Sequence, residues 1–434
     1  MADGSVLRVV EFYSGVGGMH FALKGKGGSF PSEVVAAMEI NTTANQVYQL
    51  NFSDTNLLQK NIEGLTAQEI DKLSANVFLM SPPCQPFTRV GHQGASKDPR
   101  MKSFLHILEL LPKLAKPPDY ILMENVKGFE SSGTREHFVG TLKACGYHYQ
   151  EFLLSPIQFG IPNSRLRYYL LAKKKPLQFF FSTRDKIMET LPSYTTHSYM
   201  TLDQNFQSDN ERPVGSLAMA SEPRAVSDKQ GTTQESVMNS TDRKDNSVCV
   251  TCLQARSEGN LCAEDAVFNS TETFKPLNCR RIDNFLEKNK DYNYYEEFML
   301  PDKVLSKFAL VLDIVTHQSD RSCCFTKAYG HYAEGTGSVL KMADIDDTEI
   351  FNRYRDLKDG EQKSKLLTVL KLRYFTPREV ANLHGFPAEF RFPPSVTVKQ
   401  QYRLLGNSLN VHVVSELLRC LFQVPVCNVN SSDQ

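Results

Sequence analysis

Cys84 stands in the stretch Met80-Ser81-Pro82-Pro83-Cys84-Gln85-Pro86-Phe87, a setting that suits a nucleophile. The apolar run Asn76-Val77-Phe78-Leu79-Met80 before it reads as a buried strand. Two prolines then stop the strand and stiffen the chain. They present the thiol at the strand's carboxyl end, the edge where open parallel α/β sheets keep their chemistry. Most lone cysteines in intracellular chains are structural and hide in an apolar face. A Pro-bounded loop is the opposite environment. Glu124 follows the apolar run Tyr120-Ile121-Leu122-Met123, again at an expected strand end. Elsewhere such a carboxylate is often only solvated or paired. Arg165 and Arg167 alternate on one face of Arg165-Leu166-Arg167-Tyr168-Tyr169-Leu170-Leu171, where they could form an anion fork. On an edge strand the same pattern simply faces solvent.

A second group of residues suits a nucleotide-like ligand. Ser14-Gly15-Val16-Gly17-Gly18 follows the strand signal Leu7–Tyr13 and precedes an apolar helical segment from Met19 to Leu23. Glycines between a strand and a helix let backbone approach a ligand closely, although a tight turn that only packs looks the same. A second strand, Glu33–Met38, ends at Glu39, about 20 residues past the glycines, the spacing at which a carboxylate can hold ribose hydroxyls. Asn61-Ile62-Glu63 sits where a third strand should end. Near the C-terminus, Gly406-Asn407-Ser408 precedes an apolar helix through Leu418, so its N–H groups can face a ligand or cap that helix.

The elements that must position these residues form an α/β pattern. Strands alternate with helices from Leu7 to Leu171, including a helix from about Ser103 and a strand over Tyr147–Leu154. The polar loop Phe87–Arg100 could close over a substrate. From about Thr195 to Phe274 the chain is rich in Ser, Thr, Asn, Asp, Glu and Gln, which predicts an insertion with too little apolar surface to order itself. Cys249 and Cys252 within it have no second pair to complete a zinc set, so no metal site is expected. A helix is expected over Pro301–Asp313. Beyond it, Lys327, Tyr329 and Tyr332 interleave basic and aromatic character, which suits stacking on bases and holding phosphates. A small packed β-rich subdomain would share that composition. The C-terminal part, with a helix started near Pro377, returns to α/β character. The expected division is a catalytic and cofactor-binding part over 1–180, a target-recognition region over 181–370 containing the insertion at 195–274, and a C-terminal part of the catalytic domain over 371–425.

Composition bounds the partners. In 434 residues, 41% hydrophobic and 23% charged, the balance is that of a soluble globular protein. The formal net charge of +0 means that nucleic-acid binding would need a local basic cleft. No signal peptide or membrane-length apolar stretch is evident, and the cysteines read as reduced thiols. The expected compartment is the cytoplasm, with nuclear access also open and no membrane partner.

Tyr13–Gly18, Pro82-Pro83-Cys84-Gln85, Glu124-Asn125-Val126, Arg165-Leu166-Arg167, Arg373–Pro387 and Gly406-Asn407-Ser408 resemble, in this order, the motifs of the carbon-5 cytosine methyltransferases. The resemblance covers nearly the whole chain except the polar insertion. Cys324-Phe325-Thr326 and Gly406–Val411 point to the branch that methylates tRNA-Asp. The insertion is longer than that branch leads one to expect, and Asn61 stands where many relatives carry an acid.

The resemblance implies an S-adenosylmethionine-dependent, Rossmann-like doubly wound sheet with a smaller target-recognition domain. It implies methyl transfer to carbon 5 of a tRNA cytosine, position 38 of the tRNA-Asp anticodon loop, through a covalent cysteine adduct. Cys84 would attack carbon 6 as a thiolate favoured by Arg165 and Arg167, and Glu124 would hydrogen-bond the pyrimidine. S-adenosylmethionine would lie across Ser14, Gly15, Val16, Gly17, Gly18, Glu39, Ile62, Glu63, Ser81, Asn407 and Ser408. Lys327 and Tyr329 would contact the tRNA, and duplex DNA would bind weakly or not at all. A DNA cytosine-5 methyltransferase is the alternative, and a catalytically dead adapter would have lost Cys84, Glu124 or the arginines. Neither the set of tRNAs nor the oligomeric state follows from the sequence.

Overall fold

The computed structural model describes residues 6–25, 30–83, 101–192 and 279–425, which, Pro192 apart, belong to one compact unit. Cys84 with the loop after it, the polar insertion, Cys249 and Cys252 lie outside the described residues.

Seven strands form one sheet: β1 Leu7–Phe12, β2 Ser32–Met38, β3 Leu57–Leu58, β4 Val77–Met80, β5 Tyr120–Val126, β6 Tyr147–Leu154 and β7 Arg167–Lys174, in spatial order β3-β2-β1-β4-β5-β7-β6. The first five are parallel, while β7 runs antiparallel between β5 and β6. Parallel strands are covered on both faces and so read as continuous apolar runs. Val77, Phe78, Leu79 and Met80 are accordingly all buried. Chain order reverses at β1, which has β2 on one side and β4 on the other. The crevice at the carboxyl ends of β1 and β4 is therefore the topological switch point, where open α/β sheets bind ligands.

One face of the sheet is filled by the cluster of Phe78, Met80, Phe104, Met123, Phe129, Phe138 and Tyr168, under the helices Lys102–Leu110 and Gly133–Ala144. The opposite face receives α1 (Gly18–Lys24) and the helix Val411–Phe422, which packs on α1, β5 and β7. A smaller sheet, β8 Asp313–Val315, β9 Ser338–Lys341 and β10 Leu372–Tyr374, has its own core of Leu305, Val339, Phe351, Tyr354, Leu367 and Leu372. Among the described residues no helix is long and apolar enough to cross a membrane.

β7, which begins at Arg167, is interior rather than an edge; Arg165 lies just before it and is buried, while Arg167 is partly buried. The third strand is only two residues, and Asn61 begins a single 3-10 turn, accepting from the Glu63 N–H at 3.1 Å. The helix expected over Pro301–Asp313 is shorter, Asp302–Phe308, and Asp313 already belongs to β8.

Candidate active site

The glycine turn is held in shape by left-handed backbone at Tyr13, Gly15 and Gly17, with φ of 60, 54 and 86°. The Gly17 N–H donates to Ser14 O at 2.8 Å, and the Ser14 N–H to Met38 O at 3.0 Å, tying the turn to β2. Glu39 lies across the turn: its Oε2 accepts from the Gly15 N–H at 3.1 Å and its Oε1 from the Asn41 N–H at 2.8 Å. A Cβ on Gly15 would meet nothing closer than Tyr13 O at 4.0 Å, so this face of the turn is open. The Ser14 hydroxyl is buried without a partner. An orphaned hydroxyl beside an open turn and a carboxylate fits a ligand with polar groups, as a nucleoside-bearing cofactor has. Sequence reasoning passed over Ile40, 67% exposed at the end of β2, the large apolar side chain that can wall such a site. Its only signal was the position directly after the acid.

Gly17 faces the other way. A Cβ there would stand 2.5 Å from Phe52 Cε2 and 3.2 Å from Tyr48 Cδ2. A valine at Gly17 therefore drives into the packing under the turn rather than toward a ligand. We expect Gly17→Val to lower stability by roughly 2–4 kcal/mol through overpacking and the positive φ, seen as a fall in Tm without ligand. An unchanged Tm would refute this.

Ile62 is a core residue, while Glu63 is exposed near the turn. Glu63 is close enough for its charge to act on Tyr13, at the start of the turn.

At the end of β4, the Ser81 hydroxyl donates to Glu124 Oε2 at 2.7 Å. Arg167 Nε lies 3.7 Å from Glu124 Oε1, because the antiparallel register sets Val126 opposite Arg167 and so brings the start of β7 to the ligand edge. Asn125 Nδ2 donates to Pro82 O at 3.2 Å and pins the prolines that lead into Cys84. Asn125 had been noted only as part of a motif; that it anchors the cysteine segment is visible only in three dimensions.

Arg165 is 2% exposed and directs its donors mainly to backbone carbonyls, meeting Arg167 at Cys324 Sγ. Its Nη1 donates to Phe325 O at 3.1 Å and reaches Cys324 Sγ at 3.3 Å, while its Nη2 donates to Gly406 O at 3.1 Å and to Ser408 O. Arg167 Nη2 also approaches Cys324 Sγ, at 3.7 Å. Burial, and then the charge of Arg167, lowers the pKa of Arg165. Burial acts against Arg167 too, but Cys324, Glu124 and Tyr169 outweigh it and its pKa is raised.

The Gly406 turn departs from expectation. The Asn407 N–H donates to Arg403 O at 3.2 Å and the Ser408 N–H to Leu405 O at 2.9 Å, closing the helix Val398–Gly406. Neither is left to face a ligand, and the next helix is capped instead by the Asn410 side chain on the Val413 N–H at 3.1 Å. Ser408 does border the glycine turn: its Oγ would be 3.3 Å from a Cβ on Gly18. Gly406 itself lies against the Thr326–Lys327 peptide, where a Cβ would fall 2.2 Å from Lys327 N.

Tyr329 is corrected outright as a stacking residue. It is 3% exposed, its hydroxyl donates to Ser338 O at 2.7 Å and accepts from the Phe375 N–H at 2.9 Å, and its ring meets Phe325 and Tyr402 edge-on. Lys327 is exposed, and Tyr332 is 57% exposed.

A doubly wound sheet with a glycine turn and a held carboxylate at its switch point defines a Rossmann-like enzyme class. The chain belongs to the C-5 cytosine-specific DNA methylase family, whose match runs over residues 7–423. It is 47% identical over 430 residues to the tRNA (cytosine(38)-C(5))-methyltransferase of Mus musculus, covering 96% of this chain and 93% of that one. The Homo sapiens protein of the same name is 46% identical over 426 residues, covering 96% and 99%. A crystal structure of a Spodoptera frugiperda DNMT2 mutant matches with a TM-score of 0.70 and 38% identity, covering 96% of this chain and 100% of that one.

Proposed function

We propose that this protein transfers a methyl group to carbon 5 of a tRNA cytosine, position 38 of the tRNA-Asp anticodon loop. The observation that carries this reading is the Glu124 carboxylate fixed by Ser81 and Arg167 beside Pro82-Pro83, which lead directly into Cys84. The names of the relatives support cytosine 38 of tRNA as the target.

Carbon 5 of cytosine is a poor nucleophile. Cys84, as a thiolate, adds to carbon 6 and pushes electron density to carbon 5. Glu124 hydrogen-bonds the ring nitrogen and exocyclic amine and stabilises the adduct as charge develops. Arg167 holds Glu124, whereas Arg165 acts by binding the Phe325 and Gly406–Ser408 segments to each other. Ser14–Gly18, Glu39, Ile40, Ile62, Glu63, Ser81, Asn407 and Ser408 would hold S-adenosylmethionine, which would supply the methyl group. With the carbon-5 proton given up to solvent, its electron pair re-forms the 5,6 double bond, the carbon 6–sulfur bond breaks and Cys84 leaves as a thiolate. Residues 1–180 and 371–425 make up the catalytic domain in this reading and 181–370 the target-recognition region, and the protein works in the cytoplasm.

A stacked, paired base offers carbon 6 no access, so the target must be splayed or flipped. An anticodon loop presents unstacked bases, and a neutral chain has little long-range hold on a duplex. With labelled S-adenosylmethionine at one salt concentration, transfer to tRNA should exceed transfer to duplex DNA by at least roughly a hundredfold, as a few kcal/mol of unstacking would give. Lys327→Glu should weaken tRNA binding and leave cofactor affinity unchanged. Equal rates would favour the DNA reading, and no transfer to either substrate would favour a non-catalytic adapter.

A further inference from the structure

Tyr13, between β1 and the glycines of the turn, holds a backbone conformation that costs energy. Its φ of 60° lies in the left-handed region, which glycine enters freely and a bulky aromatic residue does not. Strain of this kind persists only where the surroundings over-determine it, and it gathers at ligand sites. On the backbone side the Ser14 N–H donates to Met38 O and the Gly17 N–H to Ser14 O. The side chain adds a restraint of its own: the Tyr13 hydroxyl donates to Ser103 Oγ at 2.9 Å.

Ser103 lies in the first turn of the helix Lys102–Leu110, which is firmly placed. Phe104, Ile107 and Leu108 are buried in the core cluster, and His106 Nε2 is 2.8 Å from Leu65 O, directly after the 3-10 turn Ile62–Gly64. The Tyr13 ring packs on the same cluster, and the charges of Glu63 and Glu39 reach its hydroxyl. Burial, then Glu63 and Glu39, raise the phenol's pKa against the Ser103 bond, so the hydroxyl keeps its proton and remains a donor.

On the reading that Ser14–Gly18 bind S-adenosylmethionine, we propose that Tyr13 and Ser103 are positioning residues whose hydrogen bond fastens the cofactor turn to the helix Lys102–Leu110 and keeps it in the shape that binds.

The course of the chain at Tyr13 decides where the next residues stand, because left-handed and extended backbone send it in different directions. Gly15 follows two residues on, with its N–H on Glu39 Oε2 at 3.1 Å and the open face of the turn beside it. A residue at 13 without the Ser103 bond would drift toward the ordinary regions of the backbone, and fewer molecules would hold Gly15 and Glu39 in place. A ligand that needs the native shape then binds more weakly in proportion to the fraction that keeps it. Ser103 acts on the ligand only through Tyr13.

The test is calorimetry of the full-length protein with S-adenosylhomocysteine, well below the Tm of every variant. Tyr13→Phe keeps the ring, and Ser103→Ala favours the helix, so neither threatens the fold. Each should weaken binding about threefold to tenfold, the range that one neutral hydrogen bond gives. The double variant should bind no worse than either single one, because both remove the same bond. A direct contact between the Tyr13 hydroxyl and the ligand would weaken binding in Tyr13→Phe and leave Ser103→Ala like the parent, which would overturn the proposal. So would additive losses in the double variant, or parental affinity in both single variants. A parent that binds no S-adenosylhomocysteine would instead overturn the cofactor reading, and the proposal with it.

Discussion

Cys84→Ser should bind S-adenosylhomocysteine as the parent does and yet turn over at least about 10⁴-fold more slowly. Thiol and hydroxyl differ little in size, but a thiol near neutrality is partly ionised and strongly nucleophilic, whereas a serine hydroxyl needs a base to attack an unactivated pyrimidine. Binding should survive because the glycine turn follows β1 and is braced by Glu39 and Met38, while Cys84 follows β4. RNA bearing 5-fluorocytidine separates addition from later steps. The carbon-5 fluorine cannot leave as a proton does, so the parent should remain covalently attached through denaturation. A denaturation-resistant complex with the serine variant would eliminate Cys84 as the nucleophile.

Arg165→Ala should show the largest loss of stability among the site residues. The guanidinium satisfies the Phe325 and Gly406 carbonyls at 3.1 Å each, together with Ser408 O. Truncation leaves buried acceptors without donors and a cavity in place of a long side chain, a cost of roughly 3–5 kcal/mol. In a chain of this size that is roughly a 4–6 °C fall in Tm. Arg165→Lys should recover only part, because an ammonium cannot span acceptors on two segments as a planar fork does. Activity should fall along with the Cα positions of 324–327 and 406–408, which hydrogen exchange would report as lost protection in both. Parental stability in Arg165→Ala would mean that the segments hold together without it.

Much of this architecture was legible because buried parallel strands are written as apolar runs. β1, β2, β4 and β5 stand where such runs predicted, and β3, at two residues, is too short to leave one. The glycine turn and the carboxylate of Glu39 across it were legible from spacing. What side chains point at was not. Alternation put Arg165 and Arg167 on a common face but could not reveal that carbonyls from residues 325, 406 and 408 converge on the first. Tyr329 misled because an aromatic among basic and glycine residues has the same composition in a core as on a surface. Gly-Asn-Ser can end one helix as readily as it begins another, and here the N–H groups close the first. Gly17 carries no side chain to show which way its missing Cβ would point.

The helix Val411–Phe422 has a consequence for the order in which the protein is made. It covers the face of the sheet formed by β5 and β7 and packs on the helix leaving the glycine turn, where the Ser415 hydroxyl donates to Ala22 O at 3.0 Å. A nascent chain on the ribosome has synthesised every strand of the sheet long before this helix emerges. Until then Leu122 and Leu171 look onto solvent or a chaperone, and Arg165 lacks the acceptors at 406 and 408. Synthesis therefore withholds a finished site until the last helix has left the exit tunnel, and a message cut short before it would yield a sheet with an open apolar flank.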